Sequence, residues 1–116
     1  VIKIAGETVE GLIYVMLGNP PETKKYQELE KKYQEKYNED EMPSYVAEAY
    51  DTVMLGVKVI LASDGTKENI KNKLFEVSKE YDGVSGNVTF DKNRDVVKSV
   101  MFKTIKNCQF IPYEEE

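Results

Sequence analysis

The sequence predicts an α/β chain: one strand, three helices, then three short closing strands. Three observations carry this reading. A continuous apolar run, Leu12 to Leu17, is bounded by Gly11 and Gly18. Three segments between residues 22 and 81 repeat apolar residues at helical spacing. From Val84 onward the apolar spacing shortens to that of strands, and turn residues recur. The length of 116 residues suits one domain or a piece of a larger one.

Each element follows from its residues. Leu12–Leu17 reads Leu-Ile-Tyr-Val-Met-Leu, which lacks polar alternation and suits a strand buried on both faces. Asn19-Pro20-Pro21 ends it, because proline cannot donate to a ladder. Glu22–Tyr37 is a charged amphipathic helix with Tyr26, Leu29, Tyr33 and Tyr37 on one stripe. Pro21 suits its first turn. Glu28 with Lys32 and Lys31 with Glu35, each four apart, add support. The stripe is narrow, so this helix packs on the outside. Asn38–Met42 is an acidic loop. Pro43-Ser44 opens a second helix running to Ala62, with Val46, Ala49, Tyr50, Val53, Met54, Val57, Ile60 and Leu61 as a broad apolar face. That breadth makes it central to the core. Thr66 caps a third helix, Lys67–Tyr81, whose face is Ile70, Leu74, Val77 and Tyr81. Asp82-Gly83 ends it, with the glycine free to turn left-handed. Val84–Phe90, Val96–Lys106 and Gln109–Pro112 are strands, separated by turn chemistry at Asp91–Asp95 and Asn107-Cys108.

Charge excludes several functions. The net charge is -5, with acidic residues interleaved among the lysines. A nucleic-acid binder needs a basic footprint, and none is present. Anionic membrane surfaces are disfavoured for the same reason. A single cysteine, Cys108, allows no internal disulfide, which leaves the compartment open. The longest apolar-rich stretch, Tyr45–Ala62, contains Glu48, Asp51 and Lys58 and is too charged to span a membrane. Val1-Ile2-Lys3-Ile4 does not read as a signal peptide; in a fragment the signal would lie upstream.

No catalytic, metal or cofactor site emerges. Without histidine the chain lacks the commonest general base and metal ligand. Cys108 has no base partner in view. Asp91-Lys92-Asn93-Arg94-Asp95 resembles the start of a calcium loop, but Val96 and Phe102 stand where glycine and the closing acid belong, so a hairpin turn is the better reading. Glu39-Asp40-Glu41 and Glu114-Glu115-Glu116 are solvated charge runs. The unusual feature is tyrosine: eight residues, with no tryptophan. Tyrosines can line a binding cleft, since the ring supplies area and the hydroxyl direction. Tyr26, Tyr33, Tyr37, Tyr50 and Tyr81 sit at helical spacing and read as packing residues. Tyr45 differs, standing in the first turn of the second helix, where free N–H groups favour anionic ligand groups. On the residues alone its structural reading remains the simpler one.

Three segments carry a resemblance. Ile4-Ala5-Gly6-Glu7-Thr8-Val9-Glu10-Gly11-Leu12-Ile13, Pro43-Ser44-Tyr45-Val46-Ala47-Glu48-Ala49-Tyr50-Asp51 and Gly83-Val84-Ser85-Gly86-Asn87-Val88-Thr89-Phe90-Asp91 follow one another at the spacing of a known family. They resemble the Ala-Glu-Gly, Ala-Tyr-Asp and Gly-Val-Ser-Gly-x-x-x-Phe-Asp stretches of extracytoplasmic solute-binding proteins of branched-chain amino-acid (leucine/isoleucine/valine) ABC transporters. Val97–Phe110 resembles the closing strands. Two departures stand out: Asn93-Arg94 replaces the usual Asn-Gly, and Cys108 stands where glycine is frequent. Arg94 adopts a left-handed turn only at a cost.

The resemblance implies a type I periplasmic-binding-protein-like α/β fold, here a partial domain with three helices and a small sheet. Residues 1–18 and 91–116 would be second-lobe strands, and 19–90 mainly first-lobe helices. Gly18, Asn19, Phe90 and Asp91 would lie at the hinge crossings. Tyr45, with Ser44, would form part of the ligand wall. The partners implied are a small-molecule solute, an amino acid or similar, and a membrane permease; the location implied is periplasmic or extracellular, and no cofactor is implied. A ligand sensor or receptor domain of the same fold is the alternative, and an enzyme is not expected. Three helices with open apolar faces also predict a homodimer.

Overall fold

The computed structural model describes residues 2–19 and 21–114, apart from the side chain of Lys3. The order is α1 (Ile2–Ala5), a 3-10 turn (Gly6–Val9), β1 (Ile13–Leu17), α2 (Lys24–Tyr37), α3 (Val46–Leu61), α4 (Lys67–Ser78), then β2 (Asp82–Gly83), β3 (Gly86–Asn87), β4 (Thr89–Phe90), β5 (Val96–Val97), β6 (Val100–Lys106) and β7 (Gln109–Pro112). The chain divides into two compact units. One comprises the residues to Gly18 and those from Ser99; the other is Asn19–Lys98.

The first unit is an antiparallel sheet in the order β1-β6-β7. Ile13 faces Thr104 and Leu17 faces Val100, while Lys106 faces Gln109. This register puts Tyr14, Met16, Met101, Ile105 and Phe110 on one face. Ile105 is buried there, and the Tyr14 and Phe110 rings meet edge-on at 5.9 Å. Ile13, Val15, Val100 and Phe102 are exposed. The expectation that Leu12–Leu17 is buried on both faces fails, because β1 pairs with β6 alone among the described strands. Residues 2–9, expected to lead into a strand, are helical.

Two turns take left-handed conformations at residues with side chains: Arg94 at φ 74 in the second unit, and Asn107 and Cys108 at φ 53 and φ 56 in the first. A carboxylate holds each turn. Asp91 accepts from the Asn93 and Asp95 N–H groups at 2.8 and 2.9 Å. Glu10 accepts from the Asn107 and Cys108 N–H groups at 2.9 and 2.6 Å. These bonds offset the steric cost that glycine would avoid.

In the second unit, threonines start two helices. Thr23 and Thr66 accept from the N–H groups of Tyr26 and Asn69, each at 3.3 Å. Asn38, left-handed at φ 54, closes α2. α2 buries Tyr26, with Leu29 and Tyr33 beside it, while Tyr37 is exposed. Lys31 pairs with Glu35 as expected, and Lys24 rather than Lys32 pairs with Glu28.

α3 presents a different face from the expected one. Its buried residues are Ala47, Asp51, Leu55 and Val59, four apart along one stripe. Val53, Val57, Ile60 and Leu61 are exposed. Leu55, Val59 and Tyr81 pack with Met54, Ile70, Leu74, Val77, Val88 and Phe90, and Tyr26, Met42, Ala47 and Val84 form a second cluster. α4 ends at Ser78, so Tyr81 lies beyond it rather than on its face. Val84–Phe90 is not one strand: β2 and β3 form a tight hairpin, and β4 pairs with β5 across the Asp91–Asp95 turn.

Candidate functional site

The most organised polar feature is a carboxylate inside the helical unit. Asp51 is 2% exposed, at the second turn-spaced position of the inward stripe. Its Oδ1 accepts from the Tyr81 hydroxyl at 3.0 Å and the Val84 N–H at 2.9 Å. Its Oδ2 accepts from the Ser85 N–H at 2.7 Å and from the Ser85 hydroxyl. A buried carboxylate without a cation is tolerable only when donors saturate its oxygens, as they do here. Gly83 is required by the same arrangement, not by a left-handed turn: a Cβ there would run into the Asp51 carboxylate, with Cγ at 2.6 Å. Burial, then the hydrogen bond to Asp51 and its charge, push the Tyr81 hydroxyl well above the usual tyrosine range. The network holds the 82–87 hairpin against α3 and leaves no acid or base free for chemistry.

A second polar group surrounds the start of α3. The Pro43 carbonyl accepts from the Val46 N–H at 3.0 Å, and the Tyr45 carbonyl from the Ala49 N–H at 3.0 Å, so the helix begins at Tyr45. Tyr45 has no short side-chain oxygen to cap the helix, and its side chain makes no capping bond. The residue is 67% exposed. Ser44 is half-buried, and its carbonyl accepts from Asn19 Nδ2 at 2.8 Å. One turn on, Glu48 stands near the positive end of the helix. Its Oε1 lies 3.6 Å from Lys98 Nζ. Asn19 and Lys98 are the first and last residues of the helical unit.

The expected residues are therefore distributed unevenly. Asn19, Ser44 and Tyr45 come together at one helix start. Gly18 sits at the edge of the other unit, its N–H donating to the Ser99 carbonyl at 2.9 Å. Phe90 and Asp91 lie inside the helical unit, Phe90 against the Phe75 ring at 6.2 Å and Asp91 in its turn; the chain leaves that unit after Lys98. An open groove of about 320 Å³ runs between α2 and α3, lined by Lys25, Lys32, Tyr50, Lys58 and Tyr81. Two of its lysines are engaged by the groove's own wall: Lys25 bonds the Asp82 carbonyl at 2.8 Å, and Lys58 sits 5.0 Å above the Tyr81 ring. The groove does not include Tyr45. Among the described residues no three His, Cys, Asp or Glu side chains are grouped to hold a metal, and no helix is long and apolar enough to cross a membrane.

Solved structures share this fold. A leucine-binding protein of Thermotoga maritima superposes with a TM-score of 0.79 at 27% identity, covering 97% of this chain and 33% of that one. The fold is that of the branched-chain amino-acid solute-binding proteins. An ABC transporter substrate-binding protein of Desulfitobacterium hafniense, solved with Leu, gives 0.76 at 26% identity over 91% of this chain and 32% of its own. The branched-chain amino acid transporter substrate-binding protein of Streptococcus pneumoniae, solved with isoleucine, gives 0.73 at 27% over 94% and 31%. The chain thus spans about a third of the length of the solute-binding proteins it matches. No protein-family model matches it, and no curated protein does.

Sequence reasoning missed two groups. In the sequence Asp51 is a charge in an apolar helix and the end of a motif, while its partners lie 30 to 34 residues away. Glu48 reads as one of the charges that rule out a membrane span, and nothing singles out Lys98. The signal available for the first was the pairing of an aspartate in an apolar helix with a Gly-Val-Ser-Gly turn.

Proposed function

We propose that this chain forms part of a solute-binding module for ABC-type uptake of an amino acid or related small molecule. It works outside the cytoplasm, delivers to a membrane permease and catalyses no reaction. The observation that carries the reading is the match to a leucine-binding protein over 97% of the chain at 27% identity. In this reading Tyr45 and Ser44 belong to the ligand wall, and the hinge crossings are Gly18–Asn19 and Lys98–Ser99. The exposed Tyr45 ring supports the first assignment, because an uncommitted aromatic at a helix start is available to a ligand. The groups that grip the rest of the solute come from outside these residues.

The exposed α3 stripe of Val53, Val57, Ile60 and Leu61 supports a further feature of the reading. On its own the chain covers this stripe with a second copy. Light scattering should then give a dimer mass that falls on dilution, and a monomer at all concentrations would remove this feature.

The functional test is a chimaera. Residues 1–116 replace the matched third of the Thermotoga maritima leucine-binding protein, and thermal unfolding is followed against amino acids, amides and organic acids. A ligand bound by the native state alone raises the melting temperature by mass action. A shift confined to one chemical class supports solute binding. A folded chimaera that responds to none contradicts it and favours a sensor or interaction domain of the same fold.

A further inference from the structure

The helical unit is entered at Asn19 and left at Lys98, and both residues reach the same place. Asn19 Nδ2 donates to the Ser44 carbonyl at 2.8 Å, just before α3. Lys98 Nζ lies 3.6 Å from Glu48 Oε1 in the first turn of α3, with side chains 6% and 18% exposed. Just outside, the two crossing segments are joined to each other. The Gly18 N–H donates to the Ser99 carbonyl at 2.9 Å, and a Cβ on Gly18 would sit 2.9 Å from Ser99 Oγ. A side chain at Gly18 would require Ser99 to shift.

The chemistry of the Glu48–Lys98 contact is unusual. Neither Glu48 oxygen, nor Lys98 Nζ, nor Asn19 Oδ1 has a hydrogen-bond partner among the described residues. Buried charges without hydrogen bonds are a poor way to stabilise a fold, and a pair of apolar side chains would hold the helix as well. The contact has a different property. Hydrogen bonds weaken steeply once their angle is lost, whereas the attraction between charges falls only as the inverse of distance. An ion pair without directional bonds stays attached while the backbone beneath it turns.

We propose that Glu48, Lys98 and Asn19 are positioning residues that fasten both crossings to the first turn of α3, and so fix the backbone on which Tyr45 stands. The anchoring stands on geometry alone; its bearing on solute rests on the function proposed above.

Amide hydrogen exchange on the 116-residue chain tests it. Lys98→Met should speed exchange at the Gly18 amide about tenfold or more, leaving Leu74 in α4 and the Asp51-bound Val84 and Ser85 amides unchanged. Glu48→Gln, which keeps the side chain's shape, should give the same local signature. The charge swap of Glu48→Lys with Lys98→Glu should bring Gly18 back to within about threefold of the parent. An unchanged Gly18, or a rise shared equally by Leu74, Val84 and Ser85, would overturn the anchor. In the chimaera, Lys98→Met should weaken solute binding about tenfold. A chimaera that binds nothing would sink the solute reading, while the exchange data judge the anchor independently.

Discussion

The helical unit and the sheet unit are held by opposite means. The helical unit buries a carboxylate and two serines, Asp51, Ser78 and Ser85, and ties its loops to one helix through Asp51. The sheet unit relies on backbone pairing, and Ile105 is its one fully buried side chain among the described residues. The difference teaches where damage should concentrate. Where many donors share one acceptor, one substitution disables all of them. A ladder spreads its support over every pair.

The strongest way to break this comparison is Asp51→Ala. It strands the Tyr81 hydroxyl and three donors from Val84 and Ser85, so the helical unit should lose about 3 kcal/mol or more. Urea unfolding followed by far-UV circular dichroism measures this. Ile105→Ala should cost about 2–4 kcal/mol and act on the sheet amides first. If Ile105→Ala proved the more damaging of the two for the helices, the contrast would collapse.

Alkali sharpens it. The Tyr81 hydroxyl is raised above the ordinary tyrosine value, so the folded state holds its proton where the unfolded chain has lost it. Its contribution is fully present below about pH 10 and is lost as pH rises from there towards the raised folded value. The urea midpoint of the helical unit should fall across that window, and Tyr81→Phe should flatten the fall. Tyr14 in the sheet unit and Tyr26 in the helical unit are also raised, both through burial first, so some slope should remain in the variant. A midpoint equally steep in Tyr81→Phe would assign the effect elsewhere.

Much of the fold was legible because its signals are local. The cap at Thr66, the apolar stripe of Ile70, Leu74 and Val77, and the turn at Asp91–Asp95 all lie within a few residues of what they control. The face of α3 was not legible. Hydrophobicity favoured the side bearing Val53, Val57 and Ile60, yet Asp51 turns inward with Ala47, Leu55 and Val59 because its donors arrive from the 81–85 segment. β1 looked fully buried for a related reason: its apolar run is real, but the described chain gives it a single neighbour, β6. Of the candidate site, Tyr45, Ser44 and Asn19 were visible through the resemblance. Glu48 and Lys98 were not, since no short spacing links residues so distant in sequence.

The smallest effect lies at the two turns that depart from the family pattern. Arg94→Gly relieves a left-handed residue and should raise stability by about 1 kcal/mol. Cys108→Gly keeps the N–H that bonds Glu10 at 2.6 Å and relieves the same kind of strain, so its gain should be about as large. Thermal unfolding of the two variants measures both. No gain at either position would mean that the left-handed backbone costs these turns little.

The most direct test of the central claim is calorimetric titration of the chimaera with its best thermal-shift compound, beside its Tyr45→Ala variant. The account predicts saturable binding of an amino acid or close analogue by the chimaera. It also predicts affinity at least about tenfold weaker in Tyr45→Ala, with the melting temperature of the unliganded protein unmoved, as befits an exposed side chain. A folded chimaera that binds no solute would contradict the account, and equal affinity in the two proteins would remove Tyr45 from the ligand wall.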